Sequence, residues 1–90
     1  MPTIKVPAPM KFYVDNQSEF EANGGTVAEL LEDVLRRYPA FTPHLYDSQG
    51  NMRRYFNIFV NGTHIRELEG LETNLKEDDK VILMASAAGG

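Results

Sequence analysis

Thr26-Val27-Ala28-Glu29-Leu30-Leu31-Glu32-Asp33-Val34-Leu35-Arg36-Arg37-Tyr38 is the stretch that decides the fold class. Val27, Leu30, Leu31, Val34, Leu35 and Tyr38 fall at i, i+3, i+4, i+7, i+8 and i+11, one apolar stripe on a helix of about three turns. Thr26 and Glu29 have the spacing of a capping box, in which the hydroxyl accepts from the Glu29 amide and the carboxylate reaches back to the Thr26 amide. Glu32–Arg36 and Asp33–Arg37 are i, i+4 pairs expected on the wet face. Asn23-Gly24-Gly25 breaks the chain before the helix and Pro39 ends it. Such a stripe needs an apolar partner surface, and no other helix of comparable length is apparent.

The flanking segments supply a sheet. Thr3-Ile4-Lys5-Val6 and Ser18-Glu19-Phe20-Glu21-Ala22 alternate with the period of half-buried strands and predict an N-terminal hairpin, with Lys11-Phe12-Tyr13-Val14 continuing the extended chain beyond Pro7 and Pro9. Ala40 to Met52 reads as a loop. Arg53 to Val60 is the longest strand candidate, with Phe56, Ile58 and Val60 on one side and Tyr55, Asn57 and Phe59 on the other. Asn61-Gly62 is a strong hairpin signal, returning through His64-Ile65-Arg66. Leu68, Leu71 and Leu75 are expected to anchor an acidic connection to the last strand, Val81-Ile82-Leu83-Met84. Ile4, Val6, Phe20, Phe56, Ile58, Val60, Val81 and Leu83 would form the face under the helix. The expected class is α+β, one main helix on a mixed sheet of four or five strands, with the body at 1–84 and a flexible tail at 85–90.

Composition narrows the functions. The 90 residues include no cysteine, which excludes disulfides, iron–sulfur ligation and a thiol nucleophile. Thirteen acids against nine bases give a net charge of −4, and residues 67–79 alone carry six acids and one base. That balance argues against nucleic-acid binding. The same acidic run could steer a basic partner, although a solvated loop is the simpler reading. No apolar run spans a bilayer and the N-terminus lacks the pattern of a signal peptide, so a cytoplasmic protein is expected. His44 and His64 have no metal-ligand spacing and read as surface histidines, and no phosphate-binding glycine motif is present. No bound metal or cofactor is expected, and any ATP site must lie on a partner.

Three segments carry a family resemblance when taken in order with the capped helix: Phe56-Asn57-Ile58-Phe59-Val60-Asn61-Gly62, Leu75-Lys76-Glu77-Asp78-Asp79-Lys80-Val81, and the ending Ala88-Gly89-Gly90. Over the whole chain this order resembles the β-grasp fold of ubiquitin-like proteins, and more closely the sulfur-carrier family often called MoaD/ThiS. Within it the chain is most similar to CysO-like carriers and to the small subunit of molybdopterin synthase. The resemblance implies a carrier whose terminal Gly90, preceded by Gly89, is adenylated by an E1-like ATP-dependent enzyme, converted to a thiocarboxylate, and used by a sulfur-accepting synthase. The chain would then be a stoichiometric substrate and not an enzyme, a monomer when free; a synthase subunit and a protein modifier forming isopeptide bonds are the alternatives. Glycine suits this chemistry because it lacks a Cβ and lets the backbone approach a nucleotide closely. Ala85, Ser86, Ala87 and Ala88 are small enough to thread a narrow channel, and six extended residues reach roughly 20 Å. Tyr55, Phe59, Ile82 and Met84 would form an apolar patch on the sheet face opposite the helix, expected to dock the partners. Swapped faces, or cover by the 40–52 loop, would remove that patch.

Overall fold

The computed structural model describes residues 1–86. Five strands form one mixed sheet: β1 (Thr3–Lys5), β2 (Glu19–Glu21), β3 (Phe56–Val60), β4 (Thr63–His64) and β5 (Lys80–Ala85), in the spatial order β2-β1-β5-β3-β4. The central strand β5 runs parallel to β1, with Ile4 opposite Val81, and antiparallel to β3, with Ile58 opposite Leu83. Helix α1 (Val27–Arg37) lies across one face. Its stripe of Val27, Leu30, Leu31 and Val34 is buried with Ile4, Phe20, Ile58, Val81 and Leu83. Each such aliphatic side chain contributes about 1.5–3 kcal/mol on leaving water.

The helix start departs from the predicted box in one bond. Thr26 Oγ1 accepts from the Glu29 amide at 3.2 Å, but the Glu29 carboxylate accepts from Gly25 N at 2.8 Å and not from Thr26. Gly24 sits so close to the first turn that a Cβ there would lie 2.4 Å from Leu30 N and 2.7 Å from Leu30 Cα. Asp33, expected on the wet face, is only 7% exposed. It accepts from Asn23 N at 2.9 Å and from Arg37 Nη1 at 3.2 Å, and it also takes Arg36, so the expected Glu32–Arg36 pair does not form. The Asn23 amide, followed by Arg37 and Arg36, holds the Asp33 carboxyl below the ordinary carboxylate range against an opposing burial effect.

The connections hold most of the other corrections. Residues Ala8–Val14 are a 3-10 helix and not extended chain, because Pro7 and Pro9 cannot donate to a ladder and Pro9 starts the helical turn favourably. Asp15 and Asn16, at φ 57° and 58°, then reverse the chain into β2. β1 and β2 do pair antiparallel, but across that insertion. The presumed loop 40–52 begins with a 3-10 helix (Pro39–Phe41) and a one-turn helix α2 (Thr42–Leu45), which bury Phe41 and Leu45 completely. Strand β3 starts at Phe56 and not Arg53, while β4 ends at His64, with Ile65–Glu67 forming a 3-10 turn. Of the three expected anchors Leu75 packs on the core and Leu68 and Leu71 are exposed; Thr73 takes their place, and the connection is held by Val27 N to Thr73 O at 3.1 Å and Leu75 N to Gly25 O at 2.9 Å.

Two outcomes check this packing. Gly24→Ala should lower stability by about 1–3 kcal/mol in urea unfolding, because backbone atoms and not a flexible side chain oppose the new methyl group. Asp33→Asn should cost about 1–2 kcal/mol at neutral pH. Since its folded pKa is depressed, Asp33 stabilises above the unfolded carboxylate range, and that contribution fades as pH falls from there through the folded value. The gap between wild type and Asp33→Asn should therefore narrow in acid.

Candidate functional site

β5 is the element that carries the chain to its C-terminal segment. Val81 and Leu83 point into the core, so Ile82 and Met84 alternate onto the opposite face. The β3–β5 register sets Phe59 opposite Ile82 and Asn57 opposite Met84. Lys5 pairs with Ile82 and His64 with Phe59, so one row across the outer face reads Glu19, Lys5, Ile82, Phe59, His64. The faces are thus as expected. Phe59 and Ile82 are half-buried and Met84 is 52% exposed, but the face is mixed, with Lys5, Asn57 and His64 beside the apolar residues. Tyr55 lies one residue ahead of β3; its hydroxyl donates to His44 O at 3.4 Å, which draws its tip away from Phe59 toward α2.

The strand runs through Ala85, and Ser86 N donates to Tyr55 O at 2.6 Å. Ser86 is held from its side chain as well. Asn57 Nδ2 donates to Ser86 Oγ at 2.9 Å, and Asn57 Oδ1 lies 3.1 Å from His64 Nε2. His64 Nδ1 accepts from the Arg66 amide at 3.1 Å, which assigns the ring proton to Nε2 and makes Asn57 Oδ1 its acceptor. A polar relay therefore crosses β4 and β3 to the root of the tail. The sequence reads His64 as a surface histidine and Asn57 only as an outward-facing strand residue, without the bond between them. Counting back from the Asn61-Gly62 turn, at φ 50° and 89°, would have set His64 beside Phe59 and diagonal to Asn57.

The other end of β5 is fixed separately. Asp79 accepts from Lys76 N and from Asn61 Nδ2, each at 2.8 Å, and Asn61 Oδ1 accepts from Lys80 N at 2.9 Å. The Lys76 amide, then the Asn61 amide, hold the Asp79 carboxyl below its ordinary range. The acidic run 67–79 thus ends where β5 begins, about 17 Å from Ala85 at the usual strand rise. This places the end of the run at the opposite end of β5 from Ser86.

Ala87, Ala88, Gly89 and Gly90 lie outside the described residues. Among the described residues no group of three His, Cys, Asp or Glu side chains is placed to hold a metal ion, and no helix is long and apolar enough to cross a membrane. His44 packs on the Tyr13 ring, centroids 3.9 Å apart.

A five-stranded mixed sheet with one crossing helix, and a central last strand that leads into the C-terminal segment, is the β-grasp architecture of ubiquitin-like proteins. The ThiS family profile matches residues 4–90, and the chain belongs to that family. It is 29% identical over 90 residues to the sulfur carrier protein CysO of Mycobacterium tuberculosis, covering 98% of this chain and 97% of the relative. A chain in the crystal structure of the Amycolatopsis orientalis BexX/CysO complex superposes with a TM-score of 0.87 at 28% identity, covering 100% of both. The small archaeal modifier protein 1 of Methanosarcina acetivorans superposes at 0.84 with 28% identity, covering 99% of this chain and 95% of that one.

Asn57→Ala should release Ser86 without unfolding the sheet, costing about 0.5–1.5 kcal/mol of stability. Amide hydrogen exchange should then accelerate at Ser86 while Ile58 and Leu83 keep their protection.

Proposed function

We propose that this chain is a sulfur carrier whose terminal Gly90 carboxyl group is the working atom set. The observation that carries the reading is a ThiS-family match that runs through residue 90, so that Gly89-Gly90 falls within the family's own region, beyond a central strand that ends at Ala85. The similarity to CysO supports the same role.

A carboxylate is a poor electrophile. In the proposed cycle a Gly90 carboxylate oxygen attacks the α-phosphorus of ATP on an E1-like enzyme, pyrophosphate leaves, and an acyl-adenylate forms. A hydrosulfide-level sulfur then attacks the carbonyl carbon, the acyl–oxygen bond breaks, and AMP departs with that oxygen. The product is a thiocarboxylate, which a sulfur-accepting synthase consumes. The chain is the stoichiometric substrate in every step. Its contributions are a terminus with no Cβ, a root held by Ser86, and an outer face of Phe59, Ile82 and Met84 for the partners to grip. With no cysteine in the chain, no thiol of its own can capture the activated terminus.

A second reading, a protein modifier, has the similarity to small archaeal modifier protein 1 behind it. It shares the activation step and differs in the nucleophile, a lysine amine in place of sulfur.

Mass spectrometry after incubation with the activating enzyme, ATP and sulfide separates the readings. The carrier gains the mass difference between one sulfur and one oxygen; the modifier yields adducts on other proteins; neither product refutes both. Phe59→Asp should reduce both thiocarboxylate formation and partner affinity, about tenfold or more if Phe59 is an interface anchor.

A further inference from the structure

A second surface meets at the tail root, away from the outer sheet face. β1 is parallel to β5, so the 3-10 helix that follows it begins at the level where β5 ends. β3 is antiparallel, so the residues ahead of Phe56 arrive at the same level. Phe12 is 79% exposed and packs edge-on against Tyr13, centroids 5.4 Å apart. Tyr13 stacks on His44, whose carbonyl accepts from the Tyr55 hydroxyl, and the Tyr55 carbonyl accepts from Ser86 N. These contacts link Phe12 to Ser86 without a break. Phe12 has no core role that would explain a large ring left in water.

Three bases gather at the same end of the sheet. Lys11 follows β1, and Arg53 and Arg54 precede Tyr55. Arg53 is pinned by two bonds to Pro43 O, at 3.0 and 2.8 Å. None of the three forms an ion pair among the described residues. Of the nearby acids, Asp15 closes the 3-10 helix in the left-handed region, and Asp47 Oδ1 is committed to the amides of Gln49 and Asn51. A cleft of about 510 Å³ runs between that turn and Tyr55, with Asp47, Arg53 and Arg54 on its wall. Lys11, Arg53 and Arg54 thus outnumber Asp15 and Asp47 around the end of β5, a local excess of base, whereas the acidic run precedes its first residue.

We propose that Phe12, His44 and Tyr55, rimmed by Lys11, Arg53 and Arg54, form the docking surface for the enzyme that activates Gly90, and that this enzyme presents carboxylates around an apolar seat. The inference rests on the carrier reading and adds the partner's surface chemistry. Four residues beyond Ser86 reach at most about 14 Å, so an enzyme that takes Gly90 into a buried site must bring its own surface against the surroundings of the root. Those surroundings are basic and aromatic, and the matching surface is acidic with an apolar pocket.

The test is binding kinetics on the immobilised adenylating enzyme of the same cell, with the mass gain at Gly90 read in parallel. Arg54→Glu should slow association about tenfold at low salt, with the difference shrinking as salt rises. Phe12→Ala should weaken affinity about tenfold through faster dissociation. Both positions are exposed, so folding is preserved, and Glu72→Lys at the far end should bind like wild type. Wild-type kinetics in both Arg54→Glu and Phe12→Ala, or an equal effect of Glu72→Lys, overturns the surface while a persisting mass gain leaves the carrier reading standing. Absence of any mass gain in the wild type overturns the carrier reading and the surface with it.

Discussion

Hydrogen bonding of β5 on both sides is the constraint on which the rest of the molecule depends. A strand paired with β1 along one edge and β3 along the other cannot slip by one residue without turning Val81 and Leu83 out of the core and breaking two ladders at once. Its direction is therefore set by the whole sheet. Clamps then fix its two ends: Asn61 and Asp79 at Lys80, and Asn57 with the Tyr55 carbonyl at Ser86. The consequence is that Ser86, the last described residue, is held at one defined point, which suits the proposed carrier role.

The parts of the fold legible in the sequence were those with strong periodicity. The stripe from Val27 to Val34, the alternation Phe56-Ile58-Val60 and the Asn61-Gly62 turn each follow from one local rule, and each lies where that rule puts it. What escaped was built on shorter signals. Phe41 closes a 3-10 turn and Leu45 a separate α-helical turn, each containing a proline and too short to show a period, yet both are fully buried. Asp33 reads as a surface helix residue because its decisive partner, the Asn23 amide, comes from the turn before the helix and not from the helix pattern.

The site was legible in part. The outward positions of Phe59 and Ile82 come straight from alternation, whereas the relay through Asn57 and His64 needs the register of three strands. The acidic run was conspicuous as a charge count, but only the topology shows that it lies at the opposite end of β5 from the tail. The charge count likewise hides a local excess of base near Ser86, because charges distant in sequence are brought together by the parallel and antiparallel partners of one strand.

The central claim is that the compact sheet presents one terminal acyl group as a reversible sulfur handle. Its most direct test is sulfur transfer in a reconstituted system by a variant lacking Gly89 and Gly90, whose fold is verified by the unchanged amide spectrum of residues 1–86. The account predicts an intact body and complete loss of transfer. Normal transfer by that truncated chain would contradict it.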